Sequence, residues 1–333
     1  MLTRKIAGRV YNYEYCIGRE ATGGNGFLFA MDFAMGQNGS LYVVNKGTDT
    51  YPCQGITKCT LDHEVLWDDR GSTFAGGQSE WPSSIDIDSQ ENIYVSDDFD
   101  SRIFIYDREG NFQGNWGVKG SRDGEINSPS GLAFDREDNL YVVDSLNSRV
   151  QKFTKDGKFL ANWGSQGSGP GQFNLPWGIA IDKEGHVYVA DWKNDRVQKF
   201  TPDGQHLASF GRSGTGEGEI REPSGVAVDD DGDIYIVDWG NKRLNIYDPD
   251  GEFITSFAGD ADRLSPWAQG MVDSSPDFSK ARQRTDLTQE RFFMRPVAVN
   301  VDREGRIMVL ESIRHRIQIY VKEQGWVDAQ FNL

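Results

Sequence analysis

The chain has 333 residues, with 35 Lys or Arg and 51 Asp or Glu, so its formal net charge is −16. A surface of this sign repels polyanions, so nucleic acid is not an expected partner. No apolar stretch approaches the roughly 18 residues of a membrane span, and the N-terminal residues lack the apolar region of a signal peptide. Three cysteines in a chain of this length do not form a disulfide framework. We therefore expect a cytoplasmic protein without membrane contact.

The first apolar segment, residues 10–18 (VYNYEYCIG), is predicted to be a β-strand because aromatic and β-branched residues dominate it. After it, a unit of four short strands and three turns recurs, and residues 131–164 are a clear copy. Asp138-Asn139 and Asp156-Gly157 suit tight hairpins because Asn and Gly accept positive φ at little steric cost. One such sheet cannot bury both faces alone. Copies stacked around an axis are therefore expected.

The copies are counted on one residue of the second strand. It is Tyr42, Tyr94, Tyr141, Tyr188, Tyr235 and Met308. That strand ends in an acidic residue or Asn: Asn45, Asp97, Asp144, Asp191, Asp238 and Glu311. Five residues later an arginine follows in every copy but the first: Arg102, Arg149, Arg196, Arg243 and Arg316. Because this acid–arginine pattern repeats, we predict that it is structural rather than catalytic. Six copies through the whole chain predict one domain, residues 1–333.

The spacing at the start of the chain predicts how the ring closes. Gly18 lies nine residues before Phe27, as Gly164 lies nine before Phe173. Residues 10–18 therefore match a fourth strand, and we place them in the last copy, where they leave no free sheet edge. The C-terminal residues 325–333 could add a competing or extra edge strand.

Two insertions interrupt the regular copies. One follows Asn45, and the other spans residues 260–294. Residues 279–293 lack Gly and Pro and are rich in helix formers, so they form either a short helix or a polar loop. The long insertion is a candidate lid for a site on the face that carries both insertions.

The motif P-x-G-[IV]-A-[IV]-D, followed by YVxD and an arginine five residues after that Asp, is specific. This motif occurs in residues 175–200, which read LPWGIAIDKEGHVYVADWKNDRVQKF, and a close variant of it occurs in residues 222–247. Both segments resemble the NHL repeat. The resemblance covers residues 9–321 and implies an all-β fold, a six-bladed β-propeller of four-stranded antiparallel blades. NHL propellers serve as protein-binding scaffolds, as RNA-binding surfaces and as the catalytic domain of peptidyl-hydroxyglycine lyases. The fold alone does not choose among these functions.

The residues of this chain weaken two of those functions. The lyases bind zinc through His beside the Pro that starts the first strand of a blade. Here those places hold Met31, Ser83, Ser130, Trp177, Ser224 and Val297, so that zinc site is not carried over. The RNA-binding members use a positive face, whereas this chain is acidic. We therefore predict no metal site and no cofactor, although a cation in the axial channel is possible.

Residues on the inserted face are the candidate ligand contacts. Two connections of each blade emerge there, the one between the second and third strands and the one to the next blade. The residue directly after the end of each second strand differs between the copies. It is tryptophan in blades four and five, and these residues, Trp192 and Trp239, form an aromatic surface together with Trp177. The candidate ligand-binding residues are Lys46, Asp98, Trp177, Trp192, Trp239, Arg295, Asn300 and His315.

Three polar residues interrupt the small residues of the innermost strands. Where other blades have Gly or Ala, this chain has Asp32, Asp86 and Asn300 in three adjacent copies. Neighbouring carboxylates raise one another's pKa or bind a cation or water. We predict one axial pocket lined by these residues and Lys46, walled by the tryptophans and covered by 260–294. A purely structural role holding channel waters is the alternative.

Two functions are compatible with these features. The first is a binding module that engages a protein partner or a small ligand on its loop-rich face. The second is an enzyme of lyase, isomerase or hydrolase type, with Asp32 and Asp86 as catalytic acid and base under the 260–294 lid.

Overall fold

The structure is a computed structural model that describes residues 3–48, 50–51, 53–70 and 81–323. Within these residues, six antiparallel sheets form the blades of a ring. The predicted all-β six-bladed propeller is thus confirmed. No helix in the described ranges is long and apolar enough to cross a bilayer.

The first three blades are complete four-stranded sheets, and in each the first strand lies nearest the axis. Blade one consists of β3 (Ala30–Met35), β4 (Ser40–Asn45), β5 (Gly55–Thr60) and β6 (Val65–Arg70). Blade two consists of β7 (Pro82–Ile87), β8 (Ile93–Asp97), β9 (Arg102–Tyr106) and β10 (Phe112–Trp116). Blade three consists of β11 (Pro129–Phe134), β12 (Asn139–Asp144), β13 (Arg149–Thr154) and β14 (Phe159–Trp163).

The last three blades repeat this order, with one change in blade six. Blade four consists of β15 (Pro176–Ile181), β16 (Val187–Asp191), β17 (Arg196–Phe200) and β18 (His206–Phe210). Blade five consists of β19 (Pro223–Val228), β20 (Ile234–Asp238), β21 (Arg243–Tyr247) and β22 (Phe253–Phe257). Blade six consists of β23 (Pro296–Val301), β24 (Arg306–Glu311), β25 (Arg316–Lys322) and two N-terminal strands, β2 (Arg9–Ile17) and β1 (Thr3–Ile6).

The ring is closed by the N-terminal strand, as predicted. Strand β2 pairs antiparallel with β25, from Tyr11 opposite Lys322 to Ile17 opposite Ile317. The sequence did not predict β1, which forms a hairpin with β2 and makes blade six five-stranded. The proposed C-terminal edge segment, residues 325–333, lies outside the described residues.

The core lies between neighbouring blades. The Tyr that marks each second strand is buried in blades one to five, and Met308 is buried in blade six. Near the axis the innermost strands approach closely. A Cβ on Gly131 would lie 2.5 Å from the carbonyl oxygen of Trp177, and one on Gly178 would lie 2.5 Å from that of Ser224. Glycine is therefore required where these inner strands touch.

The repeated acid–arginine pair ties each of blades three to six to the preceding blade. In blade three, Asp144 is fully buried and accepts hydrogen bonds from Arg149 Nε at 2.8 Å and from the Asn127 amide at 2.7 Å. Arg149 also donates to the carbonyl oxygens of Arg122 and Glu125, in the loop that arrives from blade two. Blades four, five and six repeat the pattern through Asp191–Arg196, Asp238–Arg243 and Glu311–Arg316.

Blade one lacks this arginine and supplies the guanidinium from another strand. Its third strand begins with Gly55, where a Cβ would lie 2.1 Å from the carbonyl oxygen of Asp69 in β6. The side chain of Arg70, at the end of β6, is fully buried and donates to the carbonyl oxygens of Ala21 and Gly24. Arg70 therefore binds the loop that arrives at blade one, as the repeat arginine does elsewhere.

The 260–294 insertion forms two short helices, α1 (Pro266–Asp273) and α2 (Pro276–Gln283), and a one-turn 3-10 helix at Thr288–Arg291. The helix predicted within 279–293 therefore corresponds to the end of α2, and α1 was not predicted. Trp267 of α1 is buried, packs edge-on against Phe27 and donates from Nε1 to the His63 carbonyl oxygen at 2.7 Å. The insertion is thus docked at the joint between blades six and one.

Candidate functional site

Three cavities follow one another along the axis of the ring. The upper cavity, on the face with the inserted loops, has a volume of about 430 Å³. It shares Met31, Trp177 and Val297 with a narrow middle cavity of about 50 Å³. The middle cavity shares Asp32 and Leu132 with a lower cavity of about 230 Å³. The axis is therefore an interrupted channel with an apolar upper end and an acidic lower part.

The order of the three cavities along the axis follows from the places that their lining residues hold in the innermost strands. The second residues of the innermost strands that line the middle cavity are Met31, Ser83, Trp177, Ser224 and Val297. Asp32 holds the third place of its strand, whereas Asp86 and Asn300 hold the fifth. Two residues advance a strand by about 7 Å, so the third and fifth places lie at different heights.

The wall of the upper cavity is largely aromatic. The ring centroids of Trp177 and Trp192 are 5.7 Å apart at an interplanar angle of 66°, and those of Trp192 and Trp239 are 6.3 Å apart at 88°. Phe29, Met31 and Val297 add to the apolar lining. The three indoles are half-buried, so each still offers a free surface to a ligand.

The polar groups of the upper cavity are few and include two cations. The Lys46 ammonium lies 3.6 Å from the Asp98 carboxylate and 4.2 Å from the centre of the Trp81 ring. The Arg295 guanidinium lies 5.6 Å from the centre of the Trp239 ring. A few polar groups in an apolar concave site are what orients a bound small molecule.

The lower cavity brings Asp32, Asp86 and Asn300 together in one lining. Asp32 accepts a hydrogen bond from the Ser84 hydroxyl, and Asp86 accepts one from the Phe134 amide at 2.7 Å, so each carboxylate is tied to the next blade. Burial raises the pKa of Asp32 to about 6 and that of Asp86 to about 7, against the opposing effect of these hydrogen bonds. The Asp32 charge raises the pKa of Asp86 further.

A carboxyl group with these properties can exchange protons near neutral pH, which general acid–base chemistry requires. Both side chains keep part of their surface open to the cavity. Asp86 and Asn300 hold the same repeat position in the two blades that flank blade one. The lower cavity therefore combines two titratable groups with an amide.

The single pocket expected from the sequence is two separate cavities in the structure. Asp32, Asp86 and Asn300 line the lower cavity, whereas Lys46 and the three tryptophans line the upper one. The constriction between them is the middle cavity, which is only wide enough for about one or two waters. Asp32 and Trp177 both reach this middle cavity, but Asp86 shares no cavity lining with the tryptophans.

The candidate lid, segment 260–294, lies beside the axial cavities rather than in their linings. Among the described residues, the linings of the three axial cavities include none from this segment, and α1 is docked at the joint between blades. The first insertion does contribute, because Gly47 and Thr48 line the upper cavity.

Two predicted contact residues act next to the upper cavity rather than in its lining. Asp98 pairs with Lys46, and burial raises the pKa of Asp98 although the Lys46 charge opposes that shift. His315 is buried and its Nδ1 accepts a hydrogen bond from the Phe29 amide at 3.1 Å, while its ring packs edge-on against Phe29. Burial lowers the pKa of His315. His315 therefore positions Phe29 at the cavity wall.

Sequence reasoning missed Phe29. It stands directly before the first strand of blade one, at the repeat position that Arg295 holds in blade six. Both residues have a positive φ, 46° and 57°, at this strand start. Their shared repeat position is the signal that could have identified Phe29 as a lining residue.

A further cavity of about 970 Å³ lies on the opposite face. Its lining comes mainly from the polar hairpins between the first and second strands of blades six, one and two, and includes Asp88, Asp302 and Arg306. It shares Asn300 with the lower axial cavity. The lower cavity is therefore approached from this face.

One group of possible metal ligands lies away from the axis. Oxygen or nitrogen atoms of Asp182, Glu184 and His186 lie within 4.8 Å of one another in a hairpin of blade four. Asp182 already accepts hydrogen bonds from the Glu184 and His186 amides, as Asp135 does from Glu137 and Asn139 in blade three. These contacts account for the cluster as a repeated turn structure.

The fold and the axial cavities define a β-propeller with a wide apolar opening on one face. The sequence profile of the SMP-30/Gluconolactonase/LRE-like region matches residues 118–213, and that of the NHL repeat matches residues 221–247. No curated protein matches the chain significantly. The chain is therefore a six-bladed β-propeller in which residues 221–247 match the NHL repeat.

Solved structures share this fold at low sequence identity. A protein of unknown function from Bacteroides thetaiotaomicron VPI-5482 is 20% identical, with a TM-score of 0.64 over 95% of this chain and 76% of that chain. A streptogramin B lyase is 11% identical, with a TM-score of 0.58 over 94% of this chain and 98% of the other. Virginiamycin B lyase from Staphylococcus aureus is 13% identical, with a TM-score of 0.56 over 93% and 99%. At these identities the similarity concerns the fold alone.

Proposed function

We propose that this protein is a ligand-binding propeller that takes a small, largely apolar molecule into the upper cavity. The observation that carries the proposal is the wall of Trp177, Trp192 and Trp239 around a concave space of about 430 Å³. This volume falls in the range of about 300–1,000 Å³ typical of small-molecule sites. A concave site favours a small ligand over the flat contact expected for a protein partner.

The aromatic wall is specific to two blades, which favours a site over a structural role. Trp192 and Trp239 stand where the other blades have Lys46, Asp98, Ser145 and Ser312. Because the repeat tolerates small and polar residues at this place, the fold does not require tryptophan there. Half-exposed tryptophans without a structural requirement are typical of binding surfaces.

The test is a ligand screen on wild type and Trp192→Ala. Thermal shift measures stabilisation by each ligand, and tryptophan fluorescence measures its affinity. A ligand of the upper cavity should stabilise wild type and bind Trp192→Ala about tenfold more weakly or worse. Leu146→Ala is the matched control, since Leu146 is 57% exposed on the same face and outside the cavity lining. Equal weakening in both variants would indicate nonspecific adsorption and would refute the proposal.

Acid–base catalysis in the lower cavity is a second candidate function. It is favoured by the raised pKa values of Asp32 and Asp86, about 6 and 7, beside a cavity of about 230 Å³. One matching profile is described as gluconolactonase-like, so a sugar lactone is the first substrate to try. Hydrolysis of the lactone releases a carboxylic acid, and the rate of acid release measures the reaction. This enzymatic rate should be lost in Asp86→Asn. A rate equal to the uncatalysed one in wild type would refute lactone hydrolysis.

A further inference from the structure

The charge of the upper cavity is opposite to that of the whole chain. The protein has 51 acidic and 35 basic residues, yet among the described residues the charged ones in this lining are Lys46 and Arg295, with no Asp or Glu. An aromatic cage for a cationic ligand relies on aromatic faces and is helped by nearby carboxylates. Here the charges at the cavity repel a cation and attract an anion.

Of the two cations, Arg295 has the more available charge. Lys46 is already paired with Asp98. Among the described residues, no carboxylate lies within 4 Å of the Arg295 guanidinium, which rests against the Trp239 ring on an exposed side chain. A guanidinium placed over an indole ring still has N–H donors in a planar fork, and that fork suits a carboxylate or sulfonate.

A hydroxyl deep in the cavity is also free. Ser224 is 9% exposed, lines both the upper and middle cavities, and its Oγ has no hydrogen-bond partner among the described residues. The equivalent Ser130 is bonded to the Ser145 hydroxyl at 2.7 Å and to the Trp177 carbonyl oxygen at 2.9 Å. Blade five has Trp239 in the place of Ser145, so Ser224 loses that partner. A buried polar group without a partner is costly unless a ligand or water satisfies it.

We infer that the upper cavity selects a planar aromatic organic anion, whose ring lies against the three indoles and whose acidic group is bound by Arg295. The free Ser224 hydroxyl offers a second polar contact at the inner end. This inference rests on the proposed ligand-binding function and adds the charge of the ligand to it. A neutral aromatic molecule of the same shape gains the apolar contact but not the charge-assisted hydrogen bonds.

Two fluorescent probes that differ in one group test the inference. They are 1-anilinonaphthalene-8-sulfonate, the anionic probe, and N-phenyl-1-naphthylamine, its neutral parent. We expect wild type to bind the anionic probe about tenfold more tightly or better, the size of one charge-assisted hydrogen bond. Arg295→Gln should abolish this preference by weakening the anionic probe alone, and Trp192→Ala should weaken both probes.

The control is Arg136→Gln, which makes the same charge change at an exposed position. Arg136 lies in the hairpin that follows the first strand of blade three, on the face opposite to the upper cavity. It should retain the preference of wild type, and circular dichroism should show that all variants are folded. Equal affinity of the two probes for wild type, with both weakened in Trp192→Ala, would overturn the charge inference and leave the binding function standing. Failure of both probes to bind wild type, or binding unaffected by Trp192→Ala, would overturn both.

Discussion

The ammonium of Lys322 lies 2.8 Å from the carboxylate of Asp233, across the joint between blade six and blade five. The same ammonium is 2.6 Å from Asp229 and 2.7 Å from Asp231, so one lysine contacts three carboxylates of a single hairpin. Arg9, on the N-terminal strand, also binds Asp233 through two nitrogens. The two strands that close the ring are therefore both anchored to the preceding blade by charge.

Replacement of Lys322 by Met should destabilise the protein strongly. The lysine is 8% exposed, and its contacts with the three carboxylates raise its pKa against the effect of burial. Removing one partner of a buried ion pair leaves uncompensated charge, which costs about 3–5 kcal/mol. Urea denaturation should show this loss in the free energy of unfolding. Lys119→Met, at an exposed position, is the control, and a similar loss in both variants would contradict the anchoring role.

Arg70→Met tests how blade one replaces the missing repeat arginine. The buried guanidinium binds the carbonyl oxygens of Ala21 and Gly24, which would lose their charged donor. We expect the free energy of unfolding to fall by about 2–4 kcal/mol. Arg108→Met, in an exposed ion pair with Glu109, should have a much smaller effect. If the two variants lose equal stability, Arg70 does not replace the repeat arginine.

The strands and the ring closure could be predicted because they repeat. Each buried Tyr of a second strand fixes the register of its blade, and the nine-residue spacing from Gly18 to Phe27 placed β2 in blade six. Helix α1 was missed, although Ser265 and Pro266 form a recognisable start signal for a helix. The helix prediction rests instead on residues 279–293, which lack Gly and Pro and are rich in helix formers.

The site was predicted less well because its residues were not assigned heights along the axis. Asp32 and Asp86 were grouped as replacements of small residues, but they hold the third and fifth places of their strands. Both places line the lower cavity, whereas Lys46, Trp192 and Trp239 follow the ends of second strands and line the upper cavity. Whether the middle of the channel is narrow depends on how closely Gly131 and Gly178 let the inner strands approach, which no single-blade pattern reveals.

Ser130→Ala and Ser224→Ala form a matched pair at one repeat position. The Ser130 hydroxyl is hydrogen-bonded to the Ser145 hydroxyl and to the carbonyl oxygens of Pro176 and Trp177, so its replacement should cost about 1–2 kcal/mol of the free energy of unfolding. Ser224 makes none among the described residues, so its replacement should leave the free energy of unfolding unchanged or raise it by up to about 1 kcal/mol, since an unsatisfied buried hydroxyl is removed. Urea denaturation of the two variants side by side measures the difference. Equal losses would mean that the Ser224 hydroxyl is already satisfied, for example by water.

The final prediction concerns the pH dependence that Asp86 imposes on stability. Its pKa is about 7 in the folded protein, against about 4 in an unfolded chain, because burial disfavours the charged form. Ionised Asp86 therefore costs stability. The cost is absent below about pH 4, grows as pH rises, and is complete above about pH 7.

Asp86→Asn removes this titration while keeping a carbonyl oxygen that can accept from the Phe134 amide. Relative to wild type, the free energy of unfolding of the variant should therefore rise between about pH 4.5 and pH 8, by about 2–4 kcal/mol. Urea denaturation at several pH values measures the difference. Asp156→Asn, at an exposed hairpin position, is the control and should keep the pH dependence of wild type. A difference between Asp86→Asn and wild type that stays constant across this range would show that Asp86 is not held as a buried, protonatable carboxyl group.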